Sequence, residues 1–503
     1  MGAGVILAGL DVGSTHCKAV LATPGGTVLA HAQCRTPADG PTHDVGALCA
    51  AALDALAECV TAVGRQPDAV GITGMAETGA PLDAAGEPLL PASSWSDPRP
   101  RAHAERLRRD LGAGDLHAAT GVLPSPKVPL AKWLWMREEH PAALDRMRTW
   151  AGAADLVAQA LTGQVGTDAT FAQRSMAWDV HAGRWHRDLL GLAGLDADRM
   201  PAVRGPGEPV GRCRRTGVPV VVAGHDHLVG AWAAGVRGAG EVADSMGTAE
   251  AVVTVGETAP DAPAAGRQGM SYGRHVDGTH WCVLAGMSSS GALVEWFCDQ
   301  VLGLAGAPAE QRYRRFAELV ERAGAGPTGL TVQPYLSGRS APDPDPARRL
   351  TVHGLDVGHG LPHLARALLE GAAHQAHWMA EVQGELTGNG TRGVTLLGGS
   401  VRQRTWVEIK AALAPWPTRV CAVPDAACLG AAAWAGAALG LDPAAVLLPG
   451  HRVSPPAELA AAYRSAHRAA FLPAVTARPA ATRPESTPRA VTEQVRRVGG
   501  RGG

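Results

Sequence analysis

No sign of charge dominates this 503-residue chain: 46 lysines and arginines stand against 47 aspartates and glutamates. That balance removes the electrostatic pull expected of a nucleic-acid binder or of a protein seated on acidic lipid. Nine cysteines occur, scattered and without a C-x-x-C pair, which speaks against a zinc ribbon or iron–sulfur cluster and for a reducing, cytoplasmic setting. The first residues lack a cationic stretch and Asp11 interrupts the apolar run early, so no secretory signal is expected. Ala426 to Leu441, the longest uncharged stretch, is rich in alanine and glycine and too short and weakly apolar to span a bilayer. What remains is a soluble chain long enough for two or three domains with real cores.

Strand-like and helix-like segments alternate along the whole length, which predicts an α/β architecture. The opening GLDVGSTHCKAVLATPGGTVLA reads as a strand over Val5 to Val12, a turn at Gly13-Ser14-Thr15, a strand over Lys18 to Ala22, and a return over Thr27 to Ala32. Helix periodicity marks 47–63, and a short apolar strand follows from Ala69 to Thr73. Residues 101–163 read as mainly helical, Pro201 to Pro209 as a loop, and Val218 to Ala223 as a buried strand ending at Gly224-His225-Asp226. A second hairpin then echoes the first, with strands over Glu241 to Met246 and Ala249 to Val255 around Gly247-Thr248. Leu361 to Leu386 reads as a long helix, Val394 to Leu397 as a strand running into Gly398-Gly399, and Leu429 to Leu439 as a small-residue helix. From about Arg478 the chain loses periodicity, as a disordered tail would.

Three glycine-containing turns follow strands: Gly13-Ser14-Thr15, Gly247-Thr248 and Gly398-Gly399. Small residues there leave backbone N–H groups open to an anion, so two hairpins could grip a polyphosphate while the third admits a flat ring. Asp11, just before the first turn, suits a hydrated Mg²⁺ beside phosphates. Asp226 closes a strand in VVVAGHDHLVGAWAAG. A carboxylate there could accept a proton from an attacking hydroxyl, or cap the helix that follows, and the two roles are compatible. His225 and His227 suggest a metal, but alternate residues on a strand end point opposite ways and no third ligand is near in sequence. His374 and His377 lack an H-E-x-x-H arrangement and read as helix-surface or packed histidines.

These residues resemble the FGGY carbohydrate kinases of the actin-like ATPase superfamily over nearly everything up to the tail. DVGST (Asp11–Thr15) is similar to the family's phosphate hairpin; GITGMAETGAPLD (Gly71–Asp83) and WSDPR (Trp95–Arg99) to its sugar site. KWLWMREE (Lys132–Glu139) and HGLDVGHGLPHLARALLE (His353–Glu370) are similar to its two signatures, with Lys127 and Leu350 off pattern. SMGTAE (Ser245–Glu250) falls on the second phosphate motif and LLGGSVRQRTWVEI (Leu396–Ile409) on the adenosine motif. PYLSGRSAPDPDP carries Arg339-Ser340 where Glu-Arg is common, which leaves that loop's pairing open.

The resemblance implies two actin-like (ribonuclease H-like) domains of similar core flanking an ATP/sugar cleft, over 1–240 and 241–475, with a tail at 476–503. It implies ATP and Mg²⁺ as cofactors, with Asp11 organising Mg²⁺ through water and Asp226 deprotonating the substrate hydroxyl. Gly13, Ser14, Thr15, Gly247 and Thr248 would hold phosphates, Gly398, Gly399 and Ser400 would border adenosine, and Glu77, Trp95 and Asp97 would line the sugar pocket. A homodimer is the family-level expectation. Glycerol kinases carry Arg-Glu-Thr where this chain has Ala76-Glu77-Thr78, and the Met-His of xylulose kinases is absent. A glutamate accepts from vicinal hydroxyls, favouring a neutral polyol or sugar over a sugar acid, and GHDH and the length lean toward a ketopentose such as xylulose. The alternatives are a glycerol- or erythritol-type polyol kinase and a non-catalytic nucleotide-binding regulator on the same fold. Retention of Asp11 and Asp226 favours the enzyme. The lack of a helix-turn-helix before residue 5 speaks against a fused repressor.

Overall fold

The computed structural model describes residues 4–477, so the tail expected over 476–503 lies, beyond Ala477, outside the described residues. Two sheets organise the chain. The first has six strands in the order Gly211–Arg212, Pro219–His225, Ala69–Gly74, Leu7–Val12, His16–Ala22, Val28–Arg35. Its opening three strands form an antiparallel meander, and Ala69–Gly74 and then Pro219–His225 join in parallel. The second sheet repeats this plan. Glu241–Met246, Glu250–Gly256 and Trp281–Met287 are antiparallel neighbours, and Gly393–Leu397 and then Thr418–Val420 extend the first of them in parallel. The faint internal echo in the sequence is therefore a duplicated topology, and the two-domain α/β architecture is consistent with an actin-like core.

Each sheet is covered by helices whose apolar stripes face it. Helix Val45–Val63 starts at an Asp44 cap and ends at Gly64 in the left-handed region; it buries Leu48, Ala52, Ala55 and Cys59 against the first sheet. Among the described helices it is the one long and apolar enough to cross a membrane, but its buried face is core. The 26-residue helix Leu361–Leu386 matches its predicted span and crosses the second core. The stretch 101–163 is mainly helical as expected, with one added strand, Thr149–Gly152, which pairs with Gly79–Leu82 in a small sheet beside the first. The loop expected over Pro201 to Pro209 needs correction, since Ala202–Arg204 pairs with Gly166–Asp168. Both are short edge pieces whose strand state comes from a distant partner rather than from local pattern.

The small-residue helix Ala426–Ala437, from the second half of the chain, lies on the first sheet. Its backbone comes so close that a methyl group on Gly9 or Gly71 would overlap the carbonyl oxygen of Cys428 or Ala431. Side chains of both halves meet there in one cluster containing Val20, Leu228, Val253, Leu397 and Leu429. Gln173 adds a polar link by pairing through both ends of its amide with the backbone of Arg274. All nine cysteines are free, and all but Cys34 are buried.

Candidate active site

Parallel strands of the first sheet bring three carboxyl-terminal ends into a row. Asp11 pairs in register with Thr73, and Thr73 with Gly224. The register slips between Val222 and Gly224, and Gly224 sits at φ +114, open to glycine and strained for other residues. Two threonines hold this bulge: Thr73 Oγ1 donates to the Gly224 carbonyl at 2.5 Å, and the His225 amide donates to Thr170 Oγ1 at 2.8 Å. The chain then enters helix Asp226–Ala233 with Asp226 as its first residue. The cap position belongs to His225, without a side-chain cap bond, so Asp226 is not the N-cap. Instead, its Oδ1 accepts from the His227 amide at 2.7 Å.

The expectation that His225 and His227 diverge fails for the same reason. Strand alternation stops at His225, and the helical start brings the two rings to 5.2 Å with Asp226 between them. Burial, followed by the charge of His227, drives His225 well below the ordinary histidine range, so it is neutral and lies 3.2 Å from Asp226 Oδ1.

Asp11 is half-buried, with its Oδ1 shut off from solvent and without a hydrogen-bond partner. Burial first, and the charge of Asp226 second, push its carboxyl up to about 7. Asp226 is raised as well, chiefly by burial. Two half-buried acids that repel one another, one with an orphaned oxygen, fit a hard divalent cation. The basic groups nearby do not quench them: Lys18, directly across the hairpin from Asp11, pairs instead with Asp425 at 2.9 Å. Gly13 closes the turn, where a methyl group would stand 2.8 Å from the His16 carbonyl, and Ser14 and Thr15 remain exposed.

The second hairpin is built differently. Asp244 and Glu250 are buried and share Lys410, whose Nζ donates to them at 2.5 and 2.6 Å; Ser290 Oγ donates to Glu250 at 2.6 Å. The Gly247-Thr248 turn rests on the start of helix Gly291–Trp296, whose Gly291 and Ala292 amides donate to the Gly247 and Thr248 carbonyls. Gly398, at φ +97, packs on the backbone of Met246, and a methyl group there would come within 2.6 Å of its carbonyl oxygen. Gly399 and Ser400 open a short 3₁₀ turn with space around Gly399. The predicted adenosine turn thus packs on the end of the strand that leads into the second phosphate turn.

Glu77 has φ +63, an uncommon backbone conformation for a glutamate. Buried Lys132 holds it there by donating to the carbonyls of Glu77, Ser93 and Ser94 at 2.7, 3.1 and 2.7 Å; burial pulls its ammonium down to about 7. The Glu77 carboxylate is engaged on Oε1 by Arg174, at 2.9 and 2.5 Å, and its charge reaches Asp226. Arg174 is the residue that sequence reasoning missed. Asp97 is closed off by Arg99 and Ser93, and this turn carries half-buried Trp95, over which Lys127 lies at 5.0 Å. Arg339, in the loop left open by its departure from pattern, pairs with Asp343 at 2.5 Å and donates to the Val475 carbonyl at 2.6 Å.

Comparison with known proteins places both halves of the chain in one family. The family model described as "FGGY family of carbohydrate kinases, N-terminal domain" matches residues 6–233, and its C-terminal counterpart matches 242–439. A xylulose kinase from Streptomyces rubiginosus is 28% identical over 88% of this chain and 90% of its own length. A gluconokinase from Bacillus subtilis is 22% identical over 84% and 85%. The crystal structure of a xylulose kinase from Rhodospirillum rubrum superposes with a TM-score of 0.81 at 26% identity, covering 93% of this chain and 98% of that one.

Proposed function

The chain belongs to the FGGY family of carbohydrate kinases, and from that premise we propose a ketopentose such as xylulose as the substrate and Asp226 as its general base. As a family member it is a phosphotransferase that carries phosphate from ATP to a hydroxyl of a small sugar or polyol. Asp226 takes the hydroxyl proton as the oxygen bonds to the γ-phosphorus and the bond to ADP breaks. A carboxyl whose pKa is raised by burial is a better proton acceptor near neutral pH than an exposed one. The observation that carries this reading is the half-buried pair Asp11 and Asp226, set at the ends of two strands that flank Ala69–Gly74, with no lysine or arginine bonded to either. Asp11 would hold Mg²⁺ through water; the ion, when bound, offsets phosphate charge during transfer. Turns 13–15 and 247–248 would cradle phosphates and Gly398 to Ser400 would border adenosine.

Arg174 supports the sugar assignment by fixing the Glu77 carboxylate, which accepts from substrate hydroxyls. A second reading has its own observation. Lys127 and Arg174 put two cations near one carboxylate, a surplus that would suit an anionic sugar acid. Both are tested by ADP release with Mg·ATP against D-xylulose, L-xylulose, D-ribulose, L-ribulose, glycerol, erythritol, D-arabitol and gluconate. The proposal expects a ketopentose to turn over, and Asp226→Ala to lower kcat by about 10²–10⁴-fold. Turnover confined to gluconate replaces the ketopentose with a sugar acid. Undiminished turnover in Asp226→Ala removes the base assignment.

A further inference from the structure

Away from these residues, helix Leu361–Leu386 brings His374, His377 and Glu381 along one side, at spacings of three and four. Facing them, helix Ala457–Ala466 continues into a π-helical turn, His467–Phe471, with His467 buried in the interface. Such insertions re-aim a side chain that regular helix geometry would point elsewhere. The Glu381 carboxylate lies between two imidazoles: Oε1 is 3.3 Å from His377 Nε2, and Oε2 is 3.3 Å from His467 Nε2. The three groups each offer a ligand atom within 4.8 Å of the others.

These separations are long for charge-assisted hydrogen bonds, which run about 2.7–2.9 Å. With one oxygen of Glu381 as ligand, its distance to the facing imidazole matches a ligand-to-ligand edge of a tetrahedral centre whose bonds are about 2.0–2.1 Å, an edge of roughly 3.3 Å. The other imidazole has to close in from within 4.8 Å. Support behind the ligands is of the kind metal sites use. His374 stacks on His467, and their Nδ1 atoms are 3.1 Å apart, so one ring donates to the other. When His467 is the donor, its Nε2 lone pair is directed toward Glu381, and two electron-rich atoms face each other unless a cation lies between them. Trp416 leans on His377 at 5.3 Å. His377 also lines a cavity of about 20 Å³ with Asp244 and Lys410, room for roughly one water. The Lys410 charge facing this side is answered by Asp244 and Glu250.

We propose that His377, Glu381 and His467 bind one divalent transition-metal ion, zinc by the chemistry of two imidazoles and a carboxylate, clipping the C-terminal helical segment to the long helix. The site is separate from the magnesium expected at Asp11. The test uses the untagged full chain, stripped with a chelator and titrated with Co²⁺ and then Zn²⁺. The expected result is one equivalent of Co²⁺ giving the visible absorption of a four- or five-coordinate centre, displaced by Zn²⁺, with Zn²⁺ raising the melting temperature. Glu381→Gln and His467→Gln should each abolish the absorption, and His374→Phe should weaken affinity about 10–100-fold. Absence of stoichiometric uptake by the wild-type chain overturns the proposal, as does uptake that persists in both ligand variants.

Discussion

The two hairpins share a topology and differ in how they treat charge. In the first, Asp11 stands one residue from the end of Leu7–Val12, half-buried and with an oxygen that no hydrogen bond satisfies. At the matching place in Glu241–Met246 stands Ser245. The second hairpin keeps its acids, Asp244 and Glu250, at other positions and gives them an internal cation in Lys410. One half of the duplicated fold therefore pairs its acids with an internal cation, and the other leaves Asp11 without one. A duplicated scaffold can be specialised by a few charges without altering its strand order.

That contrast can be broken most forcefully at Lys410. Lys410→Met leaves two buried carboxylates without their cation and should cost about 3–5 kcal/mol in urea unfolding. A loss below 1 kcal/mol would mean that the second hairpin does not depend on its own cation. Asp11→Asn should act in the opposite direction. The fold raises this carboxyl from an ordinary 3.8 to about 7, so ionising it costs the folded state. The penalty is absent below the unfolded value, grows as pH rises between the two, and is complete above the folded one. In metal-free buffer at pH 8 the variant should melt about 2–6 °C higher than wild type, with little difference at pH 4, and Mg²⁺ should no longer raise its melting temperature. Equal Mg²⁺ stabilisation in variant and wild type would place the cation elsewhere.

A subtler test follows the proton. Since burial raises Asp226, the acid limb of kcat should fall at a pH above the ordinary 3.8 of an aspartate. A rate that stays level down to that value would detach catalysis from this carboxyl. Lys18→Met should have the smallest effect, about 1 kcal/mol or less, because the Lys18–Asp425 pair has a partly exposed lysine. A larger loss in denaturant unfolding would make Lys18 the first hairpin's counterpart of Lys410.

Much of this was legible because it is local. Hairpins, turn glycines, the buried strand before Asp226 and the long helix are written in period and turn chemistry over a few residues. What was not legible joins distant residues. Arg174 meets Glu77 across 97 positions, and Lys410 meets Glu250 across 160. In sequence each is an ordinary basic residue on a helical stretch. The His225–His227 geometry was misread because strand alternation was carried through a bulge and into a helix. His374 and His377 gave no hint of His467, since the partner arrives on a π-turn that helical periodicity does not anticipate. The left-handed backbone at Glu77 escaped notice because glutamate seldom signals it.

The alanine- and glycine-lined seat of helix Ala426–Ala437 on the first sheet has a mechanical meaning. Interlocking side chains act like gear teeth, and moving one past another means climbing over each in turn. Here the mating faces are nearly bare backbone, closer to two polished plates. Such a joint resists being pulled apart, because contact is intimate where the backbones meet. Any added methyl at Gly9 or Gly71 would work as a burr between the plates, prising them apart at the carbonyl oxygens of Cys428 or Ala431.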